Sequence, residues 1–175
     1  MKPYTIKKLI GHGKGGYSYL AEYEGRDVVL KQIHHEPCAY YNFGCKIEAE
    51  QRDYGKLLAA GIRIPEMIDI DTEEEKILKE YIEGDTIFTL VKNDVAVDPY
   101  LEQVREMASL ARSQGLNIDY FPTNFVVRDG LLWYVDYECN EYTEEWNFEN
   151  WGIKYWSKTP EFLSYLNENK EVYGS

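Results

Sequence analysis

The first half of this chain carries short stretches in which hydrophobic and polar positions alternate loosely. A glycine cluster and a turn at 24–27 separate the first three stretches, and an acidic turn at 71–75 separates the last two. Short alternating stretches bounded by turn residues are typical of β-strands. We therefore predict five strands, over residues 4–10, 17–23, 28–33, 67–70 and 77–82.

Other segments have the spacing of helices, in which apolar residues recur every three or four positions. In the first of them Ile47, Tyr54 and Leu57 are apolar, and Gly61 follows as a C-terminal stop. Gly115 ends the last one in the same way. We predict helices over residues 45–60, 86–91 and 100–114.

The stretch after the last helix has the pattern of a β-hairpin. Strands at 125–128 and 131–135 flank Asp129 and Gly130. A two-residue Asp-Gly turn accepts positive φ angles and joins antiparallel strands of matching twist. The hairpin would hold three polar side chains on one frame, those of Asp119, Asn124 and Asp136.

The glycine cluster between the first two strands suits phosphate binding, since glycines let backbone amides approach without side-chain obstruction. Its spacing allows two interpretations. One is G-x-G-x-x-G, formed by Gly11, Gly13 and Gly16. The other is G-K-G-G-(aromatic)-S, formed by Gly13, Gly15, Gly16 and Ser18. Because a strand rather than a helix follows, a Rossmann site is not favoured, and the Gly-Lys-Ser/Thr ending of a Walker loop is missing.

Charge and composition limit the ligands that the protein can bind and the compartment in which we expect it. The formal net charge of −12 over 175 residues opposes nucleic-acid binding, which depends on Lys and Arg releasing counterions. A single nucleotide is compatible, since a few cations, backbone amides and Mg²⁺ can offset its charge. Cys38, Cys45 and Cys139 lack CxxC spacing, which argues against a zinc site or a disulfide framework. Without an apolar run long enough for a signal peptide or a span, we expect a cytoplasmic protein.

The polar loop and the end of the hairpin resemble the catalytic and metal-binding loops of kinases. The sequences NIDYFPTN and DYE fall in the frame of H-R-D-x-x-x-x-N followed by D-F-G. This resemblance implies that Asp119 positions the acceptor hydroxyl and that Asn124 and Asp136 bind Mg²⁺. Glu138 would assist a second metal ion.

The resemblance is to atypical and small-molecule kinases. Asp-x-x-Pro-x-Asn is similar to the loop of aminoglycoside and choline phosphotransferases, and Asp-(aromatic)-Glu is similar to that of lipopolysaccharide core kinases. The sequence also resembles RIO kinases and the small kinases of the KEOPS complex. This resemblance implies an α+β, protein-kinase-like fold. Its N-lobe, at 1–83, would contain a five-stranded antiparallel sheet and one helix, and its C-lobe, at 84–175, would be short and mostly helical.

The resemblance extends to the first half of the chain. The strand VVLKQI is similar to the kinase V-A-I-K strand, so Lys31 would hold the α and β phosphates. The following helix would supply a glutamate that pairs with Lys31, namely Glu50, with Glu48 as the second choice. The second interpretation of the glycines is preferred, because it places Leu20 where kinases carry a valine that covers adenine.

The sequence KEYIEG is similar to the kinase hinge M-E-Y-I-E-G. The carbonyl of Glu80 and the amide of Ile82 would then bond adenine. Two departures are Lys79, at a position where kinases carry an apolar residue, and Asn117 in place of the usual histidine. A buried amine is costly unless it is paired, so Lys79 either reaches an acid or marks an altered adenine pocket.

The resemblance implies a small kinase that uses ATP and Mg²⁺ to phosphorylate a hydroxyl of a protein or a small molecule. The alternative is a pseudokinase that holds nucleotide or a partner without transfer. We predict that the C-terminal aromatic residues form mainly the core of the short C-lobe, whereas exposed rings would mark a partner site. They are Trp146, Phe148, Trp151, Tyr155, Trp156, Phe162 and Tyr165.

Overall fold

A computed structural model of the protein describes residues 1–13, 15–35 and 45–173, so Cys38 and most of the approach to the first helix lie outside the described residues. The strands are β1 (Tyr4–His12), β2 (Gly16–Tyr23), β3 (Arg26–Ile33), β4 (Met67–Asp71), β5 (Lys76–Glu80), β6 (Asp85–Thr86), β7 (Leu116–Ile118), β8 (Phe125–Arg128), β9 (Leu131–Tyr134) and β10 (Cys139–Glu141). The α-helices are α1 (Lys46–Ala60), α2 (Ile87–Lys92), α3 (Asp98–Ser113), α4 (Pro160–Glu168) and α5 (Lys170–Tyr173). Short 3-10 turns cover Pro122–Asn124 and Gly152–Tyr155.

The chain forms two compact units. The first consists of Met1–Gly55 and Pro65–Ile82, and the second of Lys56–Ile64 and Glu83–Ser175. The sequence predicted a division into 1–83 and 84–175. The end of α1 and the residues after it, Lys56–Ile64, belong to the second unit, and the division into lobes stays a prediction.

A five-stranded antiparallel sheet dominates the first unit, as predicted, with the order β1-β2-β3-β5-β4. One face of this sheet packs into an apolar core. That core consists of Ala21, Tyr23, Val28, Leu30 and Leu78, with Tyr4, Tyr19 and Ile68 against it. The prediction ended the fifth strand at residue 82, but β5 ends at Glu80.

The second unit combines helices with two small sheets, so it has more strand than the predicted mostly helical lobe. One sheet has the order β6-β8-β9, and the other pairs β7 with β10. The predicted hairpin is confirmed: β8 and β9 pair antiparallel, and their connection has φ angles of 53° at Asp129 and 76° at Gly130. Positive φ at both turn residues is the geometry that matches the twist of the paired strands.

The core of the second unit is aromatic. Phe125, Phe148, Trp156 and Phe162 are at most 1 % exposed. Rings of this size bury a large apolar area per residue, which a small unit needs. Trp146, by contrast, is 51 % exposed. Among the described residues, no helix is both long and apolar enough to cross a bilayer.

Candidate functional site

In the first unit, strand register places the predicted nucleotide-binding residues on one face of the sheet. Residues directly opposite in antiparallel strands point to the same side. Lys31 pairs with Ser18 on one side and Ile77 on the other. Two positions along β3, Val29 pairs with Leu20 and Lys79. The face opposite the apolar core therefore carries Ser18, Leu20, Lys31 and Lys79.

Lys31 forms an ion pair with the helix that follows. Its Nζ donates to Oε1 of Glu50, and both side chains are 13 % exposed. Glu48, the second choice, is exposed. The other carboxylate oxygen of Glu50 is buried and has no hydrogen-bond partner among the described residues. An ion pair removed from water to this degree fixes the ammonium group in position.

The glycine loop lies against the same lysine. A Cβ built on Gly15 would be 3.8 Å from Lys31 Nζ. The Gly13 N–H donates to the Gly16 carbonyl at 3.0 Å, and the His34 N–H donates to the Gly15 carbonyl at 3.2 Å. The loop is thus held by its own backbone and by the end of β3, and its glycines keep the space beside the ammonium open.

The predicted hinge residues Glu80 and Ile82 lie at the end of β5 and just after it. The Glu80 N–H donates to the Glu66 carbonyl at 2.9 Å, and Oε1 of Glu80 accepts from the Glu66 N–H at 3.1 Å. Ile82 is buried at the end of the unit, 5 % exposed. Lys79 is 7 % exposed. Lys79 therefore places a buried cation on the same sheet face as Lys31.

In the second unit, the loop after β7 and the end of β9 meet at the hydroxyl of Tyr134. The Asp119 N–H donates to this hydroxyl at 3.1 Å, and the hydroxyl donates to the Glu138 carbonyl at 2.7 Å. Complete burial raises the pKa of Tyr134 well above its usual range, and the carboxylates of Asp136 and Asp119 raise it further. The hydroxyl therefore stays protonated and keeps donating.

The predicted metal-binding side chains are tied to the same frame. Nδ2 of Asn124 lies 3.4 Å from the Asp119 carbonyl, and the Asn124 carbonyl accepts from the Val135 N–H at 2.9 Å. That bond sets Asn124 beside the residue before Asp136. Oδ1 of Asp119 accepts from the Phe121 N–H at 3.1 Å, while Oδ1 of Asp136 accepts from the Tyr137 N–H at 2.7 Å. The structure thus brings Asp119, Asn124, Asp136 and Glu138 onto one connected frame.

The donor set of this frame fits Mg²⁺. Magnesium prefers oxygen ligands and is commonly held by one or two carboxylates together with substrate phosphates. Since Nδ2 of Asn124 is directed at the Asp119 carbonyl, Oδ1 is the atom of the amide that would face a metal ion, and Asp136 would add a carboxylate. Within the described part of the chain, no three His, Cys, Asp or Glu side chains cluster as a metal-binding group. A magnesium ion shared with phosphates does not need such a cluster.

Sequence reasoning missed the residues that brace this frame. Gln103 on α3 donates to the Gly130 carbonyl at 3.0 Å and accepts from the Leu132 N–H at 2.8 Å. Nε1 of Trp156 donates to the Tyr120 carbonyl at 2.8 Å. Tyr134 lies within the predicted strand over residues 131–135, and the sequence assigns no role to its hydroxyl. A glutamine on a helix face and an aromatic residue in a core carry no signal of these contacts in the sequence.

Asn117, at the position of the usual histidine, is 4 % exposed. Its Nδ2 donates to the Thr143 carbonyl at 2.9 Å, which joins β7 to the chain beyond β10. Among the described residues its Oδ1 is buried without a hydrogen-bond partner. Asn117 therefore serves the geometry of the loop in the second unit.

Comparison with known proteins gives a relative from Bacillus subtilis. The chain is 32 % identical over 125 residues to a Bacillus subtilis (strain 168) protein named "Putative serine/threonine-protein kinase YrzF". The match covers 71 % of this chain and 52 % of that protein, so the chain spans about half the length of the curated relative. No family model matches the chain. The similarity suggests a kinase-like protein.

Proposed function

We propose that this protein is a small phosphotransferase of the atypical kinase type that uses ATP and Mg²⁺ to phosphorylate a hydroxyl group. The observation that carries the proposal is the connected frame of the second unit. There Tyr134 and the backbone of Asn124 hold Asp119 and Asp136 in fixed positions. A carboxylate for the acceptor, together with an amide and a carboxylate for Mg²⁺, is the set that phosphoryl transfer needs.

The residues of the second unit have distinct proposed roles. Asp119 would orient the acceptor hydroxyl and accept its proton. Asn124 and Asp136 would hold Mg²⁺, with Glu138 assisting a second ion. ATP supplies the phosphoryl group, and Mg²⁺ neutralises its negative charge.

The first unit would bind the nucleotide. Lys31, fixed by Glu50, would hold the α and β phosphates, and the backbone of Gly13, Gly15 and Gly16 would approach them. Ser18 and Leu20 lie on the same sheet face as Lys31, which suits contacts with the phosphates and the base. Glu80 and Ile82 would bond the base through their backbone groups.

A pseudokinase that binds nucleotide or a partner without transfer is the second candidate. Two observations favour it. Lys79 is buried on the sheet face proposed for the base, and Asn117 replaces a histidine. This candidate keeps the binding roles of Lys31 and Asp136 and removes the transfer role of Asp119.

Thermal unfolding with and without Mg-ATP tests both candidates. A ligand at about 100 times its Kd stabilises the native state by about 2.7 kcal/mol. We expect this stabilisation with Mg-ATP and a smaller effect with ATP and EDTA. Absence of any shift would remove both nucleotide-dependent candidates. Mg-ATP binding combined with the loss of γ-phosphate to an acceptor supports the kinase, and binding without transfer across a broad acceptor panel supports the pseudokinase.

A further inference from the structure

A run of aromatic rings extends from the loop of Asp119 toward solvent. We call it the aromatic ledge, and it consists of Phe121, Trp146, Trp151 and Tyr155. The Phe121 ring lies 5.2 Å from Tyr155 and 6.5 Å from Trp151, and Trp151 lies 5.5 Å from Trp146. The Phe121 N–H donates to Oδ1 of Asp119. The ledge thus begins at Phe121, beside the residue proposed to position the acceptor, and ends at the ring of Trp146, which is 51 % exposed.

The exposed end of the ledge is held in place. The Asn150 N–H donates to Oδ1 of Asn147 at 2.7 Å, and Nδ2 of Asn150 donates to the Glu144 carbonyl at 2.9 Å. The Trp151 N–H donates to the Asn147 carbonyl at 3.0 Å. A ring kept partly in water on a braced turn contributes less to folding than a buried one, and it binds a partner at a lower cost in conformational entropy.

The carboxylates beside the aromatic ledge favour a positively charged partner. Within residues 144–156 the acids are Glu144, Glu145 and Glu149, and the one basic residue is Lys154, next to Tyr155. Glu144 and Glu145, next to Trp146, are exposed. Glu149 pairs with Arg105 at 2.7 Å, which offsets one of these charges. Aromatic faces beside carboxylates attract cations, above all the flat guanidinium of arginine.

We propose that the aromatic ledge is the acceptor-binding surface and that the acceptor is an extended basic segment of a protein. An arginine or lysine would stack on Trp146 near Glu144 and Glu145, while a hydroxyl residue reaches Asp119. This inference rests on the proposed phosphotransferase function. It deepens that function by naming the class of acceptor.

The spacing of the rings predicts the spacing of the acceptor sequence. The two steps from Phe121 through Trp151 to Trp146 span at most about 12 Å, which an extended chain covers in about four residues. Phe121 itself is two residues from Asp119. The basic residue should therefore lie within about five positions of the hydroxyl residue.

Fluorescence anisotropy tests the surface without relying on transfer. The probe is a labelled peptide with a central serine and an arginine about five positions away on each side. The reference peptide carries glutamates in place of the arginines. We expect the basic peptide to bind, with weaker binding as NaCl rises from about 0.05 M to about 0.5 M, and the acidic peptide not to bind.

Three variants identify the surface. Trp146→Ala should weaken peptide binding about tenfold, since a cation–π contact is lost. The double variant Glu144→Gln, Glu145→Gln should weaken it and reduce its salt dependence. Leu131→Ala removes an apolar side chain of similar exposure from the hairpin of the same unit, and it should leave the Kd unchanged.

The outcomes separate this inference from the proposed function. Equal affinity of the wild type and Trp146→Ala for the basic peptide, or tighter binding of an uncharged oligosaccharide, would overturn the ledge as a basic-peptide surface. In that case a thermal shift with Mg-ATP would leave the proposed function standing. Peptide binding that depends on Trp146, in a protein that Mg-ATP does not stabilise, would support the surface and overturn the function.

Discussion

Tyr134 connects the segments on which the proposed chemistry depends. Its hydroxyl accepts from the Asp119 N–H and donates to the Glu138 carbonyl, and the residue is completely buried. Because burial raises its pKa, the hydroxyl keeps its proton over the range in which proteins are assayed. One side chain thus sets the distance between the loop proposed to position the acceptor and the loop proposed to bind metal.

Replacing Tyr134 by phenylalanine should destabilise the protein. The change leaves the Asp119 N–H and the Glu138 carbonyl without this partner, and an unsatisfied buried polar group costs about 1–3 kcal/mol. Urea unfolding measures the loss. Tyr100→Phe is the matched control, since that half-buried tyrosine of α3 has no partner for its hydroxyl among the described residues. A free energy of unfolding lowered equally in both variants would contradict the role of the bridge.

Substitutions of the two carboxylates, Asp119 and Asp136, should separate nucleotide binding from phosphate transfer. Asp119→Asn keeps an oxygen that can accept from the Phe121 N–H, so we expect Mg-ATP to bind as in the wild type while phosphate transfer falls at least about a hundredfold. Asp136→Asn should weaken nucleotide binding only when Mg²⁺ is present. Isothermal titration and transfer from labelled ATP measure the two effects.

Asp129→Asn is the control for these two changes. It removes a carboxylate from the exposed turn of the same hairpin, where Asn also tolerates positive φ. It should change neither binding nor transfer. Equal loss of nucleotide binding in Asp119→Asn and Asp136→Asn would refute the division of roles.

Single residues also show which parts of the site a sequence can predict. Asp119, Asn124 and Asp136 were singled out because they fall into the frame of kinase catalytic and metal-binding loops, and their roles stay predictions. Glu50 could not be separated from Glu48 by more than a count along a helix, and only the ion pair with Lys31 decides between them. Tyr134 could not be found, because a tyrosine in an apolar strand has the same pattern whether or not its hydroxyl bridges two loops.

At the scale of elements, the close approach of β2 and β3 at Gly16 positions the glycine loop. A Cβ built on Gly16 would lie 2.5 Å from the Gln32 carbonyl oxygen. Any other residue would push the start of β2 away from the end of β3. Gly15, the preceding residue, lies beside the ammonium of Lys31. The position of the glycine loop next to Lys31 therefore depends on the close packing of Gly16 against Gln32.

We therefore expect Gly16→Ala to lower the free energy of unfolding by about 1–3 kcal/mol, the usual cost of overpacking. It should also weaken Mg-ATP binding if the loop contacts phosphates. Gly13→Ala is the matched change within the same loop, because a Cβ there has no atom within 4 Å. It should cost less than about 0.5 kcal/mol. Denaturant unfolding distinguishes the two variants, and equal losses of stability would contradict the packing argument.

The longer elements were predictable and the shortest were not. The five strands of the first sheet, α1 and the β8–β9 hairpin have enough residues for their periodicity to appear. β6, β7 and β10 have two or three residues each, which carry no measurable period. The pairing of β7 with β10 is set by long-range contacts, among them the bond from Asn117 to Thr143.

At the scale of the whole molecule, the net charge of −12 lowers the stability of the folded protein, because the excess negative charges repel one another. Salt reduces this repulsion, because the Debye length falls from about 30 Å at 0.01 M to about 3 Å at 1 M. Excess negative charge also keeps anionic polymers away. The protein should be more stable in moderate salt and should not bind DNA.

Charge reversal tests this expectation. Glu73→Lys changes the net charge from −12 to −10, since one reversal shifts it by two, and it should raise the midpoint of thermal unfolding at low salt. Lys8→Glu, the opposite reversal at another exposed position, should lower it. Both differences should shrink as NaCl is added. Differences that persist unchanged in high salt would show that local contacts, not net charge, determine them.

The bond from the Trp156 indole to the Tyr120 carbonyl limits how the second unit can diverge. Trp156 is 1 % exposed, and a Cβ on nearby Gly152 would lie 2.5 Å from the Cβ of Tyr120. The indole supplies the N–H for that backbone carbonyl, which a phenylalanine at 156 lacks. Because every residue except glycine carries a Cβ at position 120, a library that varies position 152 should yield few folded members that lack glycine there.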